Sequence, residues 1–429
     1  MRIWDEKNET MSREELKQFQ LEGLQKTINR IIRHNVTFYR HRFDQVGFNI
    51  EKDAIESIED LSKLPFITRE DLKESYPYDL FAVHLRDVVR IHAASGDVGI
   101  TGFTMEDLKS WSRRVARTLC SAGLDEDDVL QIALSYGLFP GAFGYHYAAE
   151  NIGASVIPTS TTHIKRQLRI LQDYKSTAIV STPSYILRLI REMKDNGINP
   201  KHLSLKYAIL GAEPWTDDMR REIEENLYVS AYFHYGVESV FGPGIASECR
   251  EKNGLHIFED HFIPEIIDTK TGKSLPYGEE GELVLTTLTM EAFPLIRYRT
   301  GDVTRLYLSD DVCPCGRTHI KMDPVKRRYD DLIVFRGINL YPYQIQNILK
   351  EIIQDEPRFR IVLYRENGDD LMDIQLEITE NIFHDEMKVE RRFIRDVEHR
   401  ILHELGFEVS IRLIENDSLP DGELIEDKR

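Results

Sequence analysis

The chain is 429 residues long and 41% hydrophobic, with 55 basic against 73 acidic side chains and a net charge of −18. That length exceeds one core and calls for two domains or more, and the acidic balance excludes the basic face that non-specific nucleic-acid binding needs. No apolar run approaches the roughly 18 residues of a membrane span, the start Met1-Arg2-Ile3-Trp4-Asp5-Glu6 has no signal-peptide core, and 4 cysteines do not make a disulfide framework, so a cytoplasmic location without membrane or nucleic-acid partners is expected.

Ser12 with Glu15 forms a capping box, and Leu21, Leu24, Ile28 and Ile31 recur at helical spacing, which predicts a long amphipathic helix. Thr68 with Asp71 marks a second helix start, and the first ~90 residues read as mostly helical. From about Val89 the rhythm changes. Strands are predicted over Val129–Leu134, Ala154–Pro158, Thr177–Ser181, Lys206–Leu210 and Val229–His234. They alternate with helices over Gly141–Asn151, His163–Asp173, Ser184–Asp195 and Thr216–Glu225. Such alternation implies βαβ units and a parallel sheet, whose ligands gather at the carboxyl ends of the strands. Gly211-Ala212-Glu213-Pro214 and His234-Tyr235-Gly236 fall there.

Beyond Ile245 the pattern turns to β, with strands expected over Pro264–Ile267, Gly281–Leu288 and Pro294–Tyr298. The charged run Lys326-Arg327-Arg328-Tyr329-Asp330-Asp331 suggests a domain boundary near Asp330. After it come strands at Leu332–Phe335, Phe359–Tyr364, Met372–Ile378 and Glu408–Ile414, and helices at Pro342–Ile352 and Glu386–Leu405. The expectation is an α/β protein: a large domain over 1–329, with a parallel βαβ sheet plus a β-rich subdomain, and a small α+β domain over 330–429.

Cys249, His256, Cys313 and Cys315 supply three thiols and an imidazole, the donor set of a closed tetrahedral zinc site. With no open position such a site is structural. The alternative is unligated thiols beside a surface histidine. Cys120 follows the apolar-faced stretch Leu108–Leu119 and reads as a buried small hydrophobe.

Taken together, Gly211-Ala212-Glu213-Pro214-Trp215, His234-Tyr235-Gly236, Tyr298-Arg299-Thr300-Gly301-Asp302, Arg328 with Asp330, and Arg336-Gly337-Ile338-Asn339-Leu340-Tyr341-Pro342 continuing to Gln344 and Ile345 resemble the adenylate-forming acyl-CoA synthetases. Gly254-Leu255-His256, Glu259-Asp260-His261-Phe262, Asp268 and Gly278 to Leu283 resemble the phenylacetate–coenzyme A ligase branch in particular. The resemblance implies ATP-dependent activation of a small carboxylic acid as an acyl-adenylate, then transfer to CoA, with Mg²⁺ and a homodimer. It implies that Gly211, Ala212, Glu213 and Pro214 form the adenine loop, with His234, Tyr235 and Gly236 placing an aromatic ring against the base. Asp302 would bind the ribose, since a carboxylate accepts from both hydroxyls. Arg328 would contact the nucleotide, and Asp330 would be the hinge on which a mobile small domain swings. Glu238 would serve Mg²⁺, and Tyr136, Phe139 and Tyr145 would line the acyl pocket.

Three departures qualify that pattern. The stretch Ala94-Ser95-Gly96-Asp97-Val98-Gly99, where Ser95, Gly96 and Gly99 would cradle phosphate, lacks the family's lysine and carries Asp97. Asp421-Gly422-Glu423 stands where the family has Gly-Lys, and Glu238 sits one place before the family's metal-binding acid. Two other readings therefore stand beside the ligase: an impaired homologue that binds an adenine nucleotide or CoA, and an adenylating enzyme with a non-CoA acceptor.

Overall fold

Capping chemistry sets the N-terminal helices. In this computed structural model, which describes residues 3–429 except 51, 94–98, 139, 215, 309–311, 326, 331, 355, 367, 378–386, 415–417 and 420–423, the chain divides into two units, Met1–Tyr329 and Asp330–Arg429. The first unit opens with helices α1 (Glu6–Glu9), α2 (Arg13–Arg33), α3 (Thr37–Gln45) and α4 (Arg69–Glu74). The Ser12 hydroxyl accepts from the Glu15 amide while the Glu15 carboxylate accepts from the Ser12 amide, closing both ends of the capping box at the start of α2. Thr68 and Asp71 do the same for α4. Helix α2 buries Leu16, Leu24, Ile28 and Ile31.

A hairpin follows, β1 (Arg90–Ala93) and β2 (Ile100–Phe103), then α5 (Met105–Ala122), β3 (Val129–Ile132), α6 (Gly141–Ile152), β4 (Ser155–Ile157), α7 (Ile164–Asp173), β5 (Ala178–Ser181), α8 (Pro183–Asp195), β6 (Tyr207–Leu210), α9 (Asp217–Leu227) and β7 (Ser230–Val237). The strands β4-β3-β5-β6-β7 pair in parallel in that spatial order. Alternate residues enter different cores, as the period of 2 requires. Ala178, Val180 and Ile209 join α5 and α6 in one cluster, whereas Ile179, Ala208 and Leu210 join α7, α8 and α9 in another. The sheet is covered on both faces, which is why its strands read as continuous apolar runs.

The sheet then changes sense without a break. Strands β8 (Gly242–Glu248), β9 (Leu255–Ile257), β10 (Phe262–Ile267), β11 (Glu280–Thr287), β12 (Tyr298–Tyr307), β13 (Lys321–Met322) and β14 (Arg327–Arg328) complete it. Among the described residues it has twelve strands, ordered β10-β11-β12-β13-β9-β8-β7-β6-β5-β3-β4 with β14 on β12. The β-rich segment is thus hydrogen-bonded into the same sheet as the parallel strands. The strand expected over Pro294–Tyr298 does not form. Arg297 adopts φ +51°, and Thr287 bonds Leu295 through its amide and its hydroxyl. The strand begins at Tyr298 instead, so the Arg-Thr-Gly-Asp motif lies inside β12 and not in a turn.

Buried ion pairs tie the N-terminal segment to this sheet. Arg117 of α5 donates to both oxygens of Asp260 at 2.7 Å and to Asp5 at 2.7 Å. Arg317 bonds Glu9 at 2.5 Å, and Arg13 grips Glu259 at 2.6 and 2.9 Å. Paired guanidinium forks of this kind satisfy charges that burial would otherwise make costly.

The second unit contains β15 (Ile333–Phe335), β16 (Ile338–Leu340), α10 (Pro342–Ile353), β17 (Phe359–Glu366), β18 (Asp369–Glu377), α11 (Met387–Leu405), β19 (Ser410–Ile414) and β20 (Ile425–Asp427). Its four-stranded sheet runs β19-β18-β17-β20. Ile345, Ile348, Val397 and Ile401 of the two helices pack on Phe359, Ile361, Leu363 and Ile374. No helix among the described residues is long and apolar enough to cross a membrane.

Candidate active site

Strand β6 ends at Leu210, and the loop that follows is shaped by what surrounds it. A Cβ on Gly211 would lie 2.4 Å from His234 Nε2 and 2.7 Å from the His234 carbonyl oxygen, so only glycine fits against β7. Ala212 takes the left-handed conformation at φ +65°. The Glu213 carboxylate accepts from the Ser184 amide at 2.5 Å and the Ser184 hydroxyl at 3.0 Å. Ser184 lies in the first turn of α8, where amide groups have no helical partner and favour an anion. Glu213 thus pins the loop and Pro214 after it to the helix. Ser184 was not singled out from the sequence; the Thr182-Pro183-Ser184 helix start, with Thr182 as N-cap, was the available signal.

At the end of β7 the side chains diverge. The Tyr235 hydroxyl donates to Asp302 Oδ2 at 2.5 Å. Burial and the neighbouring Asp302 both push this phenol well above its ordinary pKa, which keeps it a donor. Gly236 lies against the Gly242 carbonyl, with a bulge beside it in the pairing to β8. Glu238 opens a short 3₁₀ turn and is half-buried, whereas Ser239 is buried and bonds Tyr298.

Asp302 faces Arg328 across the β12–β14 pairing. Arg328 Nη1 donates to Asp302 Oδ1, and its Nη2 donates to the Thr300 carbonyl at 2.7 Å. The Thr300 hydroxyl donates to the Leu283 carbonyl at 2.7 Å and accepts from the Asp302 amide at 3.1 Å. Glu282 holds Arg299 at 2.6 Å and the Gly301 amide at 3.1 Å. Tyr235, Asp302 and Arg328, far apart in sequence, therefore share one charged node. Tyr235 and Arg328 thus meet different oxygens of Asp302, and a carboxylate offers about four lone-pair positions in all.

Beside the node, Tyr145 of α6 stands edge-on to His234 with ring centroids 5.3 Å apart. Tyr136 is half-buried, with its hydroxyl 3.2 Å from His146 Nδ1 and its ring against Phe143. Gly99 starts the return to β2 at φ +124°, and a Cβ there would meet the Leu72 carbonyl at 3.2 Å. Ser95, Gly96, Asp97, Phe139, Trp215 and Glu423 lie outside the described residues. In the second unit the Tyr341 hydroxyl reaches Asp330 Oδ2 at 3.5 Å, and Lys428 Nζ pairs with Glu426 at 3.0 Å.

The four cysteine and histidine donors predicted from sequence converge. All lie within 4.8 Å of one another. Cys249 Sγ is 3.9 Å from Cys313 Sγ, and Cys315 Sγ is 3.5 Å from His256 Nε2. Tetrahedral zinc with Zn–S of about 2.3 Å and Zn–N of about 2.0 Å has S···S edges of roughly 3.8 Å and S···N edges of roughly 3.5 Å. The His319 carbonyl lies 3.3 Å from His256 Nδ1, which directs Nε2 at the thiols. The residues fit that ion.

The second unit matches the family model described as the AMP-binding enzyme C-terminal domain, over residues 337–428. A phenylacetate–coenzyme A ligase of Thermus thermophilus is 40% identical over 95% of this chain and 92% of its own length. That of Escherichia coli K12 is 38% identical over 97% and 94%. The chain belongs to the phenylacetate–coenzyme A ligase family. Among solved structures, a 2-hydroxyisobutyryl-CoA ligase in complex with 2-HIB-AMP and CoA is 25% identical, with a TM-score of 0.90 over 98% of this chain and 91% of its own. For a phenylacetate–coenzyme A ligase family member, the close contact at Gly211 is the feature most open to a direct stability test. Gly211→Ala is expected to lower stability by roughly 1–3 kcal/mol through overpacking. Gly141→Ala, at a position where an added Cβ meets nothing within 4 Å, is expected to be neutral or stabilising; urea unfolding of both variants makes the comparison.

Proposed function

We propose that this protein is an ATP-dependent carboxylate–CoA ligase acting on an aromatic or other apolar acid. The carrying observation is the Tyr235–Asp302–Arg328 node at the strand ends beside the Gly211 loop, in a chain of this family. The adenine would lie along Gly211–Pro214 with Tyr235 and Gly236 beside it. The ribose hydroxyls would donate to the two Asp302 oxygens. The acid's carboxylate oxygen attacks the α-phosphorus, the bond to pyrophosphate breaks, and an acyl-adenylate forms. The CoA thiolate then attacks the acyl carbon and AMP leaves. Arg328 is suited to offset phosphate charge, and a cation aimed at developing charge is a large catalytic contribution. Tyr136, Phe139 and Tyr145 would enclose the acyl group. Mg²⁺, held by Glu238, would neutralise phosphate charge; the half-buried carboxylate at the start of its turn supports that reading. Asp330, the first residue of the second unit, is the proposed hinge for a small domain that moves between the two half-reactions. The need for ATP and CoA supports a cytoplasmic location.

Asp97 and Glu423 favour a second reading, a nucleotide-binding homologue with little turnover, because both place negative charge where the family binds or bridges phosphate. Pyrophosphate release from ATP and Mg²⁺ with a panel of aryl and aliphatic acids separates the two. Release that depends on one acid class and rises with CoA is expected. Silence across the panel, with AMP still bound, would transfer the assignment to the second reading.

Zinc is proposed as a structural ion at Cys249, His256, Cys313 and Cys315, tying the loop after β8 to the turn before β13. Metal analysis should return one zinc per chain. Cys313→Ser should abolish it and lower the melting temperature by several degrees, and metal-free protein of unchanged stability would refute the assignment.

A further inference from the structure

The loop after β6 is gripped on both sides of one unusual residue. Ala212 holds φ at +65°, a left-handed conformation that a residue with a Cβ keeps only where its surroundings over-determine it. On one side, Gly211 packs against the His234 ring and carbonyl with no room for a Cβ. On the other, Glu213 is 7% exposed and turns both carboxylate oxygens to α8, Oε1 to the Ser184 amide and Oε2 to the Ser184 hydroxyl. Ser184 is itself buried, and the hydroxyl of Thr182, the N-cap of α8, lies 3.3 Å from its own. The helix in turn is packed into the core through Ile186, Leu187 and Ile190. A rigid element of this kind is what a loop can be positioned on.

The chemistry of the latch is mutual. An amide in the first turn of a helix has no helical partner, and a carboxylate gives it a charge-assisted bond. Without that bond, the buried carboxylate would lose its donors and Ala212 would be free to relax to an ordinary φ. The amide and carbonyl groups of residues 211–214 would then be re-aimed. Those backbone groups are what a loop offers to the edge of a base. Adenine presents an amino donor where hypoxanthine presents a carbonyl acceptor, so backbone groups held in place pair with one and oppose the other. Groups that swing freely discriminate less.

We propose that Glu213 is a positioning residue that sets the loop's preference for adenine, acting through Ser184 and not through contact with the nucleotide. This rests on the ligase reading, which lays the adenine along Gly211–Pro214.

Calorimetry of AMP and IMP on the full chain tests it, because the ratio of the two affinities reports on the loop while a merely structural role would not move it. The wild type is expected to favour AMP by about tenfold or more. Glu213→Ala should weaken AMP binding about tenfold and narrow the preference to under about threefold. Glu213→Gln, whose amide can still accept from the Ser184 amide and donate to its hydroxyl, should keep AMP affinity within about threefold of wild type. Ser184→Ala should narrow the preference at least about twofold on its own, and should add nothing to Glu213→Ala, as expected of two members of one unit. Where Glu213→Ala does not fold, Ser184→Ala and Glu213→Gln carry the test. Ile190→Val, in the same helix but away from the latch, should lower stability in urea and leave the ratio unchanged. A wild type indifferent between the two nucleotides, a ratio that survives loss of the Ser184 hydroxyl or of Glu213, or additive losses in the double variant would overturn the proposal alone. So would Glu213→Gln as weak as Glu213→Ala, or a ratio that falls equally in Ile190→Val. Failure of the wild type to bind AMP would overturn the ligase reading with it.

Discussion

The 2.5 Å bond from the Tyr235 hydroxyl to Asp302 joins two strands that are not neighbours in the sheet. Strand β7 closes the parallel series, and β12 lies in the antiparallel series, with β8, β9 and β13 between them. Twist across a mixed sheet is what lets residues on non-adjacent strands meet in this way. The buried contact of Ser239, in the turn that follows β7, reaches the same strand β12 at Tyr298. Everything else at the site hangs from this closure. The Gly211 loop is fixed against β7 by the His234 backbone and against α8 by Glu213, and Arg328 reaches Asp302 because β14 pairs antiparallel with β12.

That arrangement explains a division of labour within one acidic protein. Around the ends of β6 and β7 the key motif residues are densely bonded: Glu213 holds the Ser184 amide, and Tyr235 and Arg328 hold Asp302. The sequence departs from the family's phosphate motifs at Asp97 and Glu423, two of the acidic residues behind the net charge of −18. Like charges raise the barrier to bringing in ATP, and a bound cation is the simplest means of offsetting them.

Much of this was legible in the sequence, for identifiable reasons. The parallel strands showed as short apolar runs because both faces are covered, and the caps of α2 and α4 followed from residue type at fixed spacing. The convergence of Cys249, His256, Cys313 and Cys315 was anticipated from their donor chemistry together with the family resemblance. What escaped depends on tertiary pairing. Nothing local announces that Glu213 seeks Ser184, that Arg117 reaches both Asp5 and Asp260, or that Arg-Thr-Gly-Asp runs inside a strand because Arg297 turns left-handed just before it. The three-residue β20, paired to β17, is too short for any periodicity to reveal.

The central claim is that the Tyr235–Asp302–Arg328 node is a nucleoside seat. Calorimetric titration of AMP into wild-type protein and into Asp302→Asn, with unfolding curves as a control, tests it most directly. An amide in place of one carboxylate oxygen sets a donor against the donors already there. The account predicts AMP affinity reduced roughly 10- to 100-fold, the worth of one to two charge-assisted hydrogen bonds, in a variant that remains folded. Equal affinity in the two proteins would contradict it and would require the nucleotide to lie elsewhere.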